Sequence, residues 1–165
     1  MVAPRPARAA RASNAALLRL DNQLCFALYS TSLTMTKLYK PVLERLGLTY
    51  PQYLVMLALW EFAPLSVSDL GSRLFLDSGT LTPLLKRMQA AGWLLRERDA
   101  ADERRVIVSL SEAGQALRTR ASIVPREMAR ATKCNLDELA DLARRLQDLR
   151  GTLAEHLNFP PDAAA

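Results

Sequence analysis

Two cysteines, Cys25 and Cys134, are the only thiols in this chain of 165 residues. The thiolate is the reactive, nucleophilic form of cysteine, and an unperturbed thiol is mostly protonated at neutral pH. Cys25 lies in the string LCFALYS, and its nearest basic neighbours are Arg19 and Lys37, more than one helical turn away. Tyrosine hydroxyls therefore remain as the candidate donors that could stabilise a Cys25 thiolate.

The positions of the tyrosines determine which of them could contact Cys25 within one chain. Tyr29 follows Cys25 by one helical turn, so the two side chains can meet within one helix. Tyr39 is fourteen residues after Cys25, which is roughly 21 Å along a straight helix. Contact between Cys25 and Tyr39 requires a second, oppositely directed subunit or a chain reversal. The other interpretation of these tyrosines is core or interface packing with a satisfied hydroxyl.

Composition indicates one folded domain. Half of the residues are hydrophobic, and the chain is long enough for a real core. Two cysteines do not make a disulfide scaffold, and the N-terminus has no signal-peptide hydrophobic region. The longest apolar run, residues 54–60, is far shorter than a membrane span. We therefore expect a cytoplasmic protein with reduced thiols and no membrane association.

The charge is unevenly distributed. The net charge is +5, and the first 19 residues contain four arginines and no acidic residue. The rest of the chain is close to neutral, so the high pI is not by itself a sign of nucleic-acid binding. Residues 1–15 are rich in Ala, Arg and Pro, which predicts a disordered basic tail.

Apolar spacing predicts a mainly α-helical chain. A stripe of apolar residues at helical spacing begins at Leu17 and continues to Leu46, where Gly47 ends it. Pro41 either kinks that helix or restarts it. The next helix is capped by Thr49 and runs through PQYLVMLALWEF, and a short helix follows over Val67 to about Leu74.

The middle of the chain has the order of a winged helix-turn-helix. A helix is expected over residues 77–91, although Pro83 leaves open whether it starts at Asp77 or later with Thr82 as the cap. Residues 93–98 and 105–110 read as two strands of a hairpin. A helix capped by Ser111 and a last helix starting near Asn135 follow. Two short helices and then a hairpin are typical of winged DNA-binding domains.

Candidate DNA-contacting residues lie in the second of these helices and in the hairpin. Hydroxyls can bond to base edges or phosphates, glycine allows close backbone approach, and arginines on a hairpin can enter a minor groove. We expect Asp102, or alternatively Asp99, to hold an arginine in place. A capped surface helix and a solvated charged loop are the other interpretations. The candidate contacts are Ser78, Gly79, Thr80, Thr82, Lys86, Arg87, Arg104 and Arg105.

Three segments resemble the multiple-antibiotic-resistance (MarR) regulators, and more narrowly the organic hydroperoxide resistance repressors (OhrR). They are LTYPQYLVMLALWE (48–61), LDSGTLTPLLKRM (76–88) and DERRVIVSLSEAG (102–114). The string LCFALY with Cys25, together with Tyr39, resembles the hydroperoxide-sensing branch specifically. The likeness extends over roughly residues 20–157.

The resemblance implies a homodimer that binds a pseudo-palindromic operator in double-stranded DNA when reduced. It implies that Cys25 reacts with organic hydroperoxide and that Tyr39 and Tyr50 hydrogen-bond its sulfur. Cys134 corresponds to the resolving thiol of the two-cysteine type, and a disulfide between Cys25 and Cys134 of the other subunit would end repression.

The resulting expectation is a mainly α-helical winged helix-turn-helix repressor. Residues 16–158 would form one domain, with dimerisation helices over about 16–46 and 111–157, a DNA-binding part over about 50–110, and a tail at 159–165. No enzymatic activity, cofactor or metal site is expected, and the single histidine is His156. The alternatives are a regulator responding to a phenolic ligand with structural cysteines, a thiol peroxidase, and a winged helix that binds protein instead of DNA.

Overall fold

A computed structural model describes residues 14–156 of the chain. The two predicted tails, residues 1–15 and 159–165, lie outside the described residues except for Asn14 and Ala15. The structure divides within one helix into two compact units, one ending at Lys37 and the other beginning at Leu38.

The first unit shows that the N-terminal helix starts later than its apolar stripe predicts. A short helix, α1 (Asn14–Leu17), and a 3₁₀ turn (Leu20–Asn22) precede the long helix α2 (Leu24–Glu44). The side-chain amide of Asn22 donates to the Ala16 carbonyl at 2.7 Å, and that of Gln23 donates to the Leu17 carbonyl at 2.6 Å. In a continuous helix, backbone N–H groups would donate to these two carbonyls. Here the side-chain amides donate to them instead.

Helix α2 continues past Pro41 and ends at Glu44. Gly47 follows with φ of 73°, a left-handed conformation that glycine adopts without a steric penalty. The Leu48 N–H donates back to the Leu43 carbonyl at 3.0 Å. The predicted glycine stop is therefore confirmed, and Pro41 does not restart the helix.

The second unit contains the helix-turn-helix. Helix α3 (Tyr50–Phe62) begins with the capping box of Thr49 and Gln52. A two-residue strand, β1 (Leu65–Ser66), leads into α4 (Val67–Leu74), and α5 (Ser78–Ala90) follows after a three-residue turn.

The wing is a three-stranded antiparallel sheet. Strands β2 (Leu94–Arg98) and β3 (Val106–Leu110) form the predicted hairpin, and the strand order is β1-β3-β2. Strand β1, which the sequence analysis did not predict, pairs Leu65 with Val108. Two residues are too few to show the alternation that identifies a strand.

Three helices complete the chain: α6 (Glu112–Ala121), α7 (Ile123–Thr132) and α8 (Leu136–His156). The prediction had one helix where α6 and α7 lie. The break falls at Ser122, whose hydroxyl donates to the Thr119 carbonyl at 2.7 Å, and Pro125 lacks the N–H that a continuous helix would use.

The core of the second unit is built by the end of α2, by α3, α4 and α5, by the wing and by the α6–α7 pair. Its fully buried large side chains are Leu43, Val55, Met56, Leu59, Leu70, Leu81, Leu85, Met88, Leu94, Val108 and Val124. Helix α8 contributes no buried residue to this core. None of the helices between residues 14 and 156 has the length and apolar character needed to span a bilayer.

The fold class is confirmed. The described part of the chain is mainly α-helical, with a small antiparallel sheet that forms the wing.

Candidate redox site and nucleic-acid interface

Cys25 is exposed and lies in the first turn of α2. The predicted helix began at Leu17, so Cys25 was expected further inside it than the structure places it. Tyr29, one turn later on the same helix, is also exposed.

Cys134 lies between two helices and is partly buried. Its thiol is 3.5 Å from the Thr132 carbonyl, which accepts its weak hydrogen bond. The preceding residue, Lys133, ends α7 in a left-handed conformation. Asn135 then caps α8, since its side-chain oxygen accepts from the Glu138 N–H at 2.9 Å. The thiol therefore lies in a short connection and not within a helix.

The second unit brings Tyr39 and Tyr50 together. Their ring centroids are 4.9 Å apart, and the ring of Tyr53 is 6.1 Å from that of Tyr39. Tyr53 also packs against Trp60 at 6.4 Å. Tyr53 was missed by the sequence analysis, although its spacing of three from Tyr50 places both on one face of α3. We call Tyr39, Tyr50 and Tyr53 the phenol cluster.

Burial raises the pKa of every member of the phenol cluster. It raises the pKa of Tyr39 and of Tyr50 above the ordinary value, and the proximity of Tyr50 raises that of Tyr39 further. The pKa of Tyr53 is raised to about 12, first by burial and then by the two neighbouring phenols. All three hydroxyls therefore stay protonated at neutral pH and can donate hydrogen bonds.

Asp77 caps α5, which starts at Ser78 and continues through Pro83, so the later start at Thr82 is excluded. The Asp77 carboxylate accepts the Thr80 N–H and the Thr80 hydroxyl, both at 2.9 Å. These hydrogen bonds, led by the one from the Thr80 backbone, hold the pKa of Asp77 below its usual value. A cap of this kind orders the first turn.

The candidate contact residues of α5 lie away from the core. In the first turn of the helix, Ser78, Gly79 and Thr80 are exposed. Lys86 and Arg87, further along the helix, are exposed as well. Thr82 is half-buried. The opposite face packs into the core through Leu81, Leu84, Leu85 and Met88.

The two wing arginines have different surroundings. Arg104 pairs with Asp102 at 3.1 Å, and 91% of its side chain is exposed. The Arg105 guanidinium lies between two carboxylates, 3.7 Å from Asp69 and 4.0 Å from Asp99. Asp69 belongs to α4, so the side chain of Arg105 connects the wing to the helix-turn-helix.

Relatives of the chain are transcriptional regulators. It is 47% identical over 136 residues to the organic hydroperoxide resistance transcriptional regulator of Bacillus subtilis, covering 82% of this chain and 92% of the relative. It is also 47% identical over 134 residues to the regulator TtmR of Methylorubrum extorquens, covering 81% of this chain and 69% of that protein.

Solved structures of AbfR, a protein of Staphylococcus epidermidis, are similar to this chain in three states. Reduced AbfR bound to DNA has a TM-score of 0.65 at 37% identity, covering 85% of this chain and 96% of that one. Overoxidised AbfR bound to DNA has a TM-score of 0.67 at 35% identity, covering 86% and 99%. Disulfide-formed AbfR has a TM-score of 0.57 at 38% identity, covering 80% and 93%.

The family model for the transcriptional regulators SarA/Rot matches residues 37–120, which include the helix-turn-helix and the wing. The chain therefore belongs to the SarA/Rot family of MarR-like winged-helix transcriptional regulators.

Proposed function

We propose that this protein is a homodimeric, redox-sensing repressor that leaves its operator when organic hydroperoxide oxidises Cys25. The observation that carries the proposal is the phenol cluster, in which the rings of Tyr39 and Tyr50 lie 4.9 Å apart, in a chain 47% identical to an organic hydroperoxide resistance regulator. The ligand-responsive alternative with structural cysteines is not favoured, because these relatives point to thiol chemistry.

The proposed sensor is composite. Tyr39 and Tyr50 of one subunit donate hydrogen bonds to the Cys25 thiolate of the other, and Tyr29 supports the thiolate within its own helix. Phenols stabilise the anion without a fixed positive charge, and Tyr53 packs beside them. Tyr39 follows Cys25 by fourteen residues in the sequence, which is roughly 21 Å along a straight helix and favours a pairing between subunits.

The proposed chemistry has two steps. The Cys25 thiolate attacks the outer oxygen of the hydroperoxide, and the O–O bond breaks. Cys25 becomes a sulfenic acid, and the alkoxide that leaves takes up a proton from water to give the alcohol. The Cys134 thiol of the partner subunit then attacks that sulfur, which forms a disulfide and releases water. The protein is oxidised once and released from DNA, so it acts as a sensor and not as a peroxidase.

The disulfide is the form that we propose leaves the operator. AbfR was solved on DNA both reduced and overoxidised, whereas its disulfide form is a separate structure. A disulfide requires the two Cα atoms to lie within about 7 Å. Drawing Cys25 and Cys134 to that distance would shift the dimerisation helices and change the spacing of the two α5 helices.

We assign each part of the chain a role in this dimer. The dimerisation helices are those of about 16–46 and 111–157, and the DNA-binding part is about 50–110. In α5, Ser78, Gly79, Thr80 and Thr82 bond to base edges or phosphates, and Lys86 and Arg87 contact phosphates. Arg104 and Arg105 are the wing candidates for the minor groove, and Asp102 stabilises the wing.

A gel-shift series tests the mechanism. Reduced wild-type protein should bind a palindromic operator selected from random duplexes, lose it with organic hydroperoxide, and regain it with dithiothreitol. Cys25→Ser should bind but ignore hydroperoxide, because it lacks the reacting sulfur. Cys134→Ser should be oxidised at Cys25 but form no linked dimer on a non-reducing gel.

Two results would contradict the mechanism. Release of Cys25→Ser by hydroperoxide would exclude Cys25 as the sensor. Peroxide-insensitive binding by the wild type would leave a DNA-binding protein without a thiol switch. Fast multiple turnover of hydroperoxide with dithiothreitol as reductant, measured beside the gel shift, would instead indicate a peroxidase.

A further inference from the structure

Arg105 closes the loop of the wing through its backbone. Its N–H donates to the Asp102 carbonyl at 2.8 Å, and its carbonyl accepts the Asp99 N–H at 2.9 Å. The wing loop between β2 and β3 is thus pinned at this residue. Contacts that fix the Arg105 side chain therefore also affect the part of the loop next to strands β2 and β3.

The carboxylate that Arg105 meets on α4 is itself held in place. The Asp69 N–H donates to the Ser66 hydroxyl at 3.1 Å, and that hydroxyl donates to Asp69 Oδ2 at 2.5 Å. Ser66 is buried and belongs to β1, which pairs with β3. Asp69 is therefore an ordered anchor, and its Oδ2 atom is the one that faces the Arg105 guanidinium.

Arg104 differs from its neighbour in every one of these respects. Its Nε and its backbone N–H both donate to Asp102 Oδ1 at 3.1 Å, a contact between residues two apart in the same loop. Its side chain is 91% exposed, against 52% for Arg105. Arg104 is paired within its own loop and its side chain is exposed, whereas the Arg105 guanidinium lies near Asp69 of α4.

We propose that Arg105 is a positioning residue that ties the wing to α4 through Asp69, and that Arg104 is the wing arginine that contacts DNA. The proposal rests on the DNA-binding function proposed above and separates two residues that the sequence analysis treated alike. Asp99, the second carboxylate beside Arg105, assists from within the wing.

The two possible roles of Arg105 predict opposite effects of neutralising Asp69. If Arg105 contacted DNA, removal of a nearby negative charge would leave the affinity unchanged or raise it, because the DNA backbone is anionic. If Arg105 positions the wing, loss of the Asp69 charge releases the wing and the affinity falls. The direction of this single change therefore distinguishes the roles.

The experiment measures binding of full-length reduced protein to its selected operator and to a scrambled duplex, by fluorescence anisotropy at several salt concentrations. The variants are Asp69→Asn, Arg105→Gln, their double mutant and Arg104→Gln. Asparagine retains the shape of aspartate, and its amide oxygen can still accept from Ser66. Glu103→Gln is the matched control, since Glu103 is an exposed wing carboxylate without an ion pair among the described residues.

We expect Asp69→Asn and Arg105→Gln to weaken operator binding by a similar factor, with the double mutant no weaker than either one. Their salt dependence should match that of the wild type. Arg104→Gln should flatten the slope of log affinity against log salt by about 0.9 for each phosphate that the arginine neutralises. Glu103→Gln should bind as tightly as the wild type or more tightly.

The proposal fails if Asp69→Asn binds as well as the wild type, or if Arg105→Gln flattens the salt slope as Arg104→Gln does. If the wild-type protein bound the operator and the scrambled duplex equally well, the proposed operator-binding function itself would be contradicted. Circular dichroism melting of each variant is the folding control. Because the double-mutant comparison measures coupling between the two side chains, it remains informative if one variant melts slightly earlier.

Discussion

At the residue scale, Asp77 combines two tasks at the start of the proposed recognition helix. Its carboxylate caps α5 and holds the Thr80 hydroxyl. Because an ionised carboxylate only accepts hydrogen bonds, the Thr80 hydroxyl must donate its proton to Asp77. The Thr80 oxygen then faces solvent as an acceptor, while the fully exposed Asp77 charge stays close to where DNA would approach.

The cap predicts a specific dependence of stability on pH. The pKa of Asp77 is lowered in the folded state, so its ionised form stabilises the fold above the unfolded value of about 3.9. This stabilisation is lost as the pH falls through the lowered pKa. Asp77→Asn keeps a capping oxygen but lacks the charge, so it should be less stable than the wild type at pH 7, and the difference should shrink as the pH falls.

Urea denaturation of both proteins from pH 7 down to pH 3 measures this difference in the free energy of unfolding. Asn has nearly the same capping preference as Asp, so the comparison isolates the charge. A difference that stays constant across the whole range would show that the hydrogen bonds from Thr80 do not act on the ionised carboxylate.

At the element scale, the turn between α4 and α5 depends on close backbone contact. Phe75 ends α4 in a left-handed conformation with φ of 55°, and the Leu76 N–H donates to the Gly71 carbonyl at 3.0 Å. A Cβ at Gly71 would lie 2.8 Å from the Leu76 carbonyl oxygen. Gly71 therefore permits the tight turn that sets α5 against α4.

Two glycine-to-alanine changes should have opposite effects on stability. Gly71→Ala forces the backbone of the turn apart, so we expect a loss of about 1–3 kcal/mol, as for other overpacked sites. Gly151→Ala is the matched control, because a Cβ there meets nothing within 4 Å in helix α8. Alanine within a helix should stabilise it by about 0.5–1 kcal/mol. Urea denaturation measures both changes, and a neutral Gly71→Ala would show that the turn is not closely packed.

At the scale of the whole molecule, α8 is a 21-residue helix without a buried residue. Four of its leucines are at least 40% exposed: Leu136, Leu142, Leu146 and Leu153. Monomeric proteins rarely expose a continuous apolar stripe of this kind. A second copy of the chain is the partner that we propose for it, since a dimer also places two α5 helices for a palindromic site.

Leu146→Glu should therefore separate the dimer, because the charge would be buried without a partner. Light scattering should give twice the chain mass of 18.3 kDa for the wild type and the single mass for the variant. Gln147→Glu adds the same charge to the next position of α8 and should remain dimeric. A Leu146→Glu protein of unchanged mass would place the dimer contact elsewhere.

The sequence by itself determined the features that depend on neighbouring residues. Caps, a glycine stop and apolar spacing located α4, α5, the end of α2 and the β2–β3 hairpin. Ser66, Asp77 and Gly47 act on groups a few residues away, so their effects can be read from the sequence. The sequence also shows no basic residue within one helical turn of Cys25, which left tyrosine hydroxyls as the candidate donors to its thiolate. Periodicity also extended the first helix too far, because a stripe cannot show where Asn22 and Gln23 replace backbone donors.

Only the tertiary structure decided the features that join distant parts of the chain. Tyr53 joins the phenol cluster because α3 packs against the end of α2, and Arg105 faces Asp69 because the wing folds back onto α4. Strand β1 exists because β3 supplies its partner. Such contacts depend on long-range packing, so periodicity and local spacing do not reveal them, and the two adjacent wing arginines differ only once the fold separates their surroundings.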